Sequence, residues 1–267
     1  MDRSAGSHPK DVNFEFIIRG RGSDISTKFS QPIVIPTHAY EAKIGLKGFV
    51  AYNTIPNITE NQNNKLRIKT PDNESYFDVS FDTGSYEIVS INSQLHQFIA
   101  EKYPKLKNVA EDFKLIGNDA TGKAEFHFQR DGFGVDFDIQ GSMHGLLGFK
   151  KKDKFENRGR FIAENIVDIC PVTQLIFNTN VTESNYINGQ ETPFIYNTSI
   201  DVPPGYRMMR EIHNISYKNL TINQISVIRV WITDQLGRPV NLRGDELLVT
   251  LSLKLERLVT NVRVEKH

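Results

Sequence analysis

The stretch 227-VIRVWITDQLGRPVNLRGDELLVTLSLKLER-257 decides the fold. In its second half Leu247, Val249, Leu251, Leu253 and Leu255 share one side of an extended chain, opposite Leu248, Thr250, Ser252, Lys254 and Glu256. Side chains of a strand alternate with period two, so this is a long strand with one wholly apolar face, suited to the inside of a sandwich. The first half repeats the pattern, with Ile228, Val230 and Ile232 opposite Val227, Arg229, Trp231 and Thr233. Between them, Asp234 to Pro239 supply turn chemistry: Asp bonds its own backbone, Gly237 takes positive φ and Pro239 fixes φ. At about a dozen residues the connection exceeds a tight hairpin, so it either bridges two sheets or carries a short strand at Val240 and Leu242.

That connection includes Arg243-Gly244-Asp245. The tripeptide invites a receptor-loop reading, but so short a match is weak, and a bend before the core strand explains it more simply. Trp231, the single tryptophan, reads first as a partly buried aromatic closing the sandwich. Its second reading is an interface anchor, since tryptophan is enriched in binding hot spots.

Working outward, the chain of 267 residues is long enough for one large β domain or two small ones. Hydrophobic residues at 39% and aromatics at 10% indicate a folded chain. Lys+Arg and Asp+Glu are 32 each, which lacks the basic excess of a dedicated nucleic-acid binder. With Cys170 alone, no intrachain disulfide can form. The first residues carry no apolar signal core, and no apolar stretch is long enough to span a membrane. We therefore expect a protein made and assembled inside the cell rather than secreted. Six Asn-x-Ser/Thr sequons, at Asn57, Asn73, Asn180, Asn197, Asn214 and Asn219, then read as chance.

Residues 1–11 read as a flexible arm and 12–149 as an N-terminal β region. Within that region Ile91, Leu95, Phe98 and Ile99 switch to helical spacing, predicting one short amphipathic helix near 90–103 with Ser90 as N-cap and Pro104 as stop. The prolines of 31-QPIVIP-36 place a strand at a sheet edge. Asp131-Gly132 signals a hairpin, and 141-GSMHGLLGF-149 a packed corner. The segment 150-KKKDKFENRGR-160 reads as a basic loop or linker. Residues 161–267 read as a C-terminal β-sandwich region, either separate or completing one sandwich with the N-terminal strands, and Asn188-Gly189 marks a turn in it. About a dozen short strands with spaced turns argue for an all-β, mainly antiparallel sandwich or barrel.

Motifs that carry chemistry are missing. There is no phosphate-binding glycine loop, no H-E-x-x-H and no cysteine pair for zinc. In Gly141-Ser142-Met143-His144-Gly145 the serine is not centred between the glycines as a nucleophile elbow requires. His127 reads as an outward or satisfied histidine, His144 as a pocket candidate without a partner, and Cys170 as a small buried hydrophobe. We expect no catalytic or metal site and no cofactor. Lys150, Lys151, Lys152, Lys154, Arg158 and Arg160 form the strongest charge cluster. They read as a solvated loop, or as a surface for weak, non-specific nucleic-acid contact or an acidic partner.

Five motifs, 51-AYNTIPNITENQNNKLRI-68, 84-GSYEIVSINSQL-95, 145-GLLGF-149, 202-VPPGY-206 and 228-IRVWITDQLGRPVNLRGDELLVTLSLK-254, resemble in order and spacing the penton-type minor capsid proteins of Polinton/Maverick elements and adintovirus-like viruses. The resemblance runs from about residue 14 to 255, and the last motif is its most specific part. It implies a jelly-roll-type β-sandwich in a virion, a homo-oligomer (a pentamer in the vertex role) and contact with the major capsid protein. The alternative from the fold class is a β-sandwich attachment or carbohydrate-binding module of a virus.

Overall fold

In this computed structural model, residues 12–187 and 189–258 are described. Their elements, in chain order, are β1 (Val12–Arg21), β2 (Asp24–Val34), β3 (Tyr40–Tyr52), β4 (Lys65–Thr70), β5 (Asn73–Ser80), α1 (Ile88–Lys102), α2 (Val109–Asp112), β6 (Phe113–Asn118), β7 (Lys123–Phe128), β8 (Gly134–Asp136), α3 (His144–Leu147), β9 (Lys154–Glu156), β10 (Gly159–Ile162), β11 (Gln174–Thr179), β12 (Asn185–Ile187), β13 (Gln190–Thr192), β14 (Phe194–Ser199), β15 (Arg207–Glu211), β16 (Lys218–Asn219), β17 (Gln224–Thr233) and β18 (Glu246–Arg257). The chain divides into two compact units, one of residues 1–54 with 172–267 and one of residues 55–171. The expected arm at residues 1–11 lies outside the described residues.

The first unit is built on β18. Its Leu247, Val249, Leu251 and Leu253 are wholly buried, as the alternation requires, while Leu255 at the strand end is half-buried. β18 pairs antiparallel with β1 on one side and β3 on the other. The sheet runs β1-β18-β3-β15, with β16 also on β3, and the second sheet runs β14-β11-β17-β2. Followed along the chain, the path alternates between sheets at nearly every step: β1, β3, β15 and β18 in one, β2, β11, β14 and β17 in the other. This eight-strand order is that of a jelly roll. Phe49 and Phe177 meet across the sheets with ring centroids 4.6 Å apart, and Phe16 meets Phe29 at 5.4 Å. β17 and β18 do not pair with each other. Their connection crosses between sheets, and Val240 and Leu242 bury themselves on the way. β2, with the Pro32 segment, is an edge strand as expected.

The second unit lies in the chain between β3 and β11. It holds a three-stranded sheet β10-β7-β6, a four-stranded sheet β5-β4-β8-β9 and three helices. Its core is phenylalanine-rich: Phe113, Phe126, Phe128, Phe133, Phe137 and Phe149 are all buried. α1 contributes Ile88, Ile91, Leu95 and Ile99. The helix begins two residues before the expected Ser90 cap, because Ile88 extends the apolar stripe one turn upstream. Asp131-Gly132 does not close a hairpin, since β7 and β8 belong to different sheets. The expected corner at 141–149 is present as α3, ended by Gly148 at φ 79.

The linker expected at 150–160 is not one. It carries β9 and β10, and the boundaries between units fall at 54/55 and 171/172. Phe155 and Phe161 are the reason: their rings stack at 4.7 Å and pack against the aromatic core, so the alternation of β9 survives among lysines. Of the two expected arrangements of residues 161–267, the separate one does not hold: β11, β14, β15, β17 and β18 share their two sheets with β1, β2 and β3, and residues 55–171 form the other unit.

Candidate functional surfaces

The Arg243-Gly244-Asp245 turn forms because two consecutive residues take left-handed backbone angles, Arg243 at φ 53 and Gly244 at φ 71. The Asp245 N–H closes it on the Leu242 carbonyl at 2.9 Å. The Leu242 carbonyl also accepts from Thr54 Oγ1 at 2.7 Å, and the Asp245 carbonyl accepts from the Gly22 N–H at 2.8 Å. The turn is therefore pinned at both ends, and it presents Arg243 and Gly244 to solvent with Asp245 half-buried. Arg21, Thr54 and Glu246 join it around a depression of about 460 Å3.

Trp231 sits half-buried on the outward face of β17, opposite the buried Ile228, Val230 and Ile232. The Arg229 guanidinium lies 5.0 Å from its ring centroid. Arg229 also donates Nε to Asp24 Oδ1 at 2.8 Å and a second bond to Asp24 Oδ2, which holds the Asp24 carboxyl below its ordinary range. The indole thus carries a fixed cation–π partner on a sheet face.

The basic cluster is divided by its pairings. Lys150 pairs with Glu164, and Lys154 lies 3.5 Å from Glu156 and 4.5 Å from the Tyr76 ring centroid. Arg160 binds Glu125 through two bonds of 2.7 and 2.8 Å. Among the described residues, the exposed Lys151, Lys152 and Arg158 side chains make no ion pair. The six cations thus do not act as one unneutralised patch.

Glu125 is the site that sequence reasoning missed. It points outward from β7, yet it is 3% exposed. Besides Arg160, it accepts from Asn118 Nδ2 at 3.0 Å and contacts His127 Nε2 at 2.8 Å. The Arg160 bonds, then those of His127 and Asn118, hold its carboxyl far below the usual carboxylate range. The only sequence signal was a carboxylate two residues before His127 on the same face of the 123-KAEFHF-128 strand. Its partners come from both neighbouring parts of the sheet, so spacing alone could not find them. His127 is thus satisfied, as expected. A second missed arrangement protects the edge of β6. There Asn92 Oδ1 accepts from the Leu115 N–H at 2.8 Å, and His96 Nε2 meets the Phe113 carbonyl at 2.6 Å.

Three further positions are placed. Cys170 is exposed, not buried, because it stands beyond the last core contact of its segment. His144 heads α3 with its buried Nδ1 unpartnered. The Asn57 side chain is 7% exposed and bonds Tyr86 and Ile169 backbone groups, so that sequon is used structurally. Among the described residues no cluster of three or more His, Cys, Asp or Glu could hold a metal ion, and no helix is long and apolar enough to cross a membrane.

No family model matches the chain. No curated protein matches it either. Among solved structures it is similar to the crystal structure of selenomethionine-labelled mavirus penton protein, with a TM-score of 0.49 and 12% identity over 94% of this chain and 100% of that one.

Proposed function

We propose that this chain is a structural subunit of a virion, a minor capsid protein of the penton type that self-associates at a vertex and contacts the major capsid protein. The observation that carries this reading is the jelly-roll strand order, β1-β18-β3-β15 against β14-β11-β17-β2, found in a chain whose five sequence motifs resemble penton-type proteins. Fold alone does not assign function, and the motifs narrow it. The sandwich leaves its turns, including the pinned Arg243–Asp245 turn, free for neighbours, and the work required of a shell subunit is packing rather than turnover. In this role the protein resides in the virion, is assembled inside the host cell and needs no cofactor.

The test is co-expression with the major capsid protein of the same genome, followed by particle purification and electron microscopy. The expected result is density for this chain at the vertices and loss of vertex closure when it is omitted. A chain that stays strictly monomeric and never enters particles overturns the proposal. Specific glycan binding by that monomer would instead establish an attachment module.

A further inference from the structure

Between Phe161 and Tyr206 the chain has five carboxylates and no Lys, Arg or His. Within that stretch the β12–β13 hairpin is paired only with itself. It carries Tyr186, 74% exposed, directly across from Glu191, and Glu183 stands exposed just before its first strand. An exposed aromatic thus lies near exposed carboxylates on a hairpin, and among the described residues neither Glu183 nor Glu191 makes an ion pair.

The opposite chemistry lies on the outward face of the β10-β7-β6 sheet. There Lys114, His127 and Arg160 form one cross-strand row, and Ile116, Glu125 and Ile162 the next. Ile162 is 50% exposed and Ile116 37%. Lys114, Lys123 and Arg160 supply three cations against one carboxylate, and Glu125 is already saturated by its hydrogen bonds. Of the carboxylates on neighbouring segments, Glu164 is taken by Lys150 and Asp112 by Arg130, while Asp119 in the β6–β7 turn is exposed beside Lys123. The face is therefore mainly cationic and partly apolar.

We propose that the acidic β12–β13 hairpin of one copy docks on the cationic β10-β7-β6 face of a second copy, with Tyr186 over Ile116 and Ile162 and with Glu183 and Glu191 against Lys114 and Lys123. Charge and apolar character together select this occupant. Nucleic acid would answer the cations but leave two isoleucines against phosphate, whereas the hairpin offers an exposed aromatic, Tyr186, directly across from the carboxylate of Glu191. The contact joins different patches on the two copies, so it propagates from copy to copy and closes only as a ring. Complementary rim charges of this kind set register and partner choice. The inference deepens the shell-subunit reading by naming a contact between its copies.

The test is sedimentation velocity on the full chain as wild type, E183K/E191K and K114E/K123E, with thermal unfolding of each to verify folding. All four side chains are at least partly exposed, and E183Q/E191Q serves as a milder second variant. Each reversal should weaken self-association by about tenfold, and an equimolar mixture of the two reversed proteins should restore it. The inference is overturned by a monomeric wild type, by either reversal associating like wild type, or by a mixture that stays dissociated. It is also overturned if K114E/K123E loses RNA or DNA binding while self-association is unchanged. Particle incorporation separates the two readings. If E183K/E191K associates and enters particles like wild type, the shell role stands without this contact. If the charge swap behaves as expected but wild type never enters particles, the contact stands without the shell role.

Discussion

Glu125 shows how much a single outward-facing residue can hold. Its carboxylate is covered by partners from β10 and from the end of β6, so replacing it with an amide leaves Arg160 and Asn118 one neutral oxygen in place of two charged ones and sets an NH2 donor against them. We expect Glu125→Gln to cost about 2 kcal/mol at neutral pH, measured by urea unfolding. The pH dependence follows from the direction of its shift. A carboxyl held below its ordinary range contributes stability above about pH 4 that is lost as pH falls toward the folded value. The gap between wild type and Glu125→Gln should therefore narrow from pH 6 to pH 2; a constant gap would remove Glu125 from the acid response. Gly148 is the second such residue. At φ 79, with a Cβ position 2.3 Å from the Asn165 carbonyl oxygen, it admits no side chain, and Gly148→Ala should lose about 3 kcal/mol in the same assay.

At the scale of elements, the edge of β6 is the instructive case. A sheet edge with free N–H and C=O groups is a template for another strand. Here α1 covers it with two side chains, Asn92 on the Leu115 N–H and His96 on the Phe113 carbonyl. The double variant N92A/H96A should keep the helix, whose buried stripe is untouched, but aggregate at lower concentration or temperature than wild type. Light scattering during a thermal ramp reads this; an unchanged onset would mean that packing alone guards the edge. These elements also show what was legible beforehand. The β18 alternation and the α1 stripe were read correctly because period is local. The strands β9 and β10 were missed because charge composition masked a single Phe155 and a single Phe161, whose burial depends on partners far along the chain. Asp131-Gly132 misled for the same reason: turn chemistry specifies a bend, not which sheet receives the next strand.

At the scale of the whole molecule, the sandwich character was legible but the partition was not. The alternation in β1, β3, β17 and β18 reports burial on one face without naming the partner sheet. Pairing of β1 with β18, residues more than two hundred apart, lies beyond any local pattern. The two-unit division predicts that residues 55–171 can be replaced by a flexible Gly/Ser linker with the jelly roll still folding cooperatively. Near-ultraviolet circular dichroism and a single urea transition for the joined chain would show this. A molten product would mean that the sandwich depends on its insertion.

β18 is both the last described strand and an interior one, lying between β1 and β3 in its sheet. During vectorial synthesis residues 55–171 are complete before that strand leaves the ribosome, whereas the sheet that needs it has an empty central lane until β18 is made. From the completion of residues 55–171 until β18 is made, the nascent chain thus carries one finished unit joined to an open half-sandwich, with the facing edges of β1 and β3 unpaired.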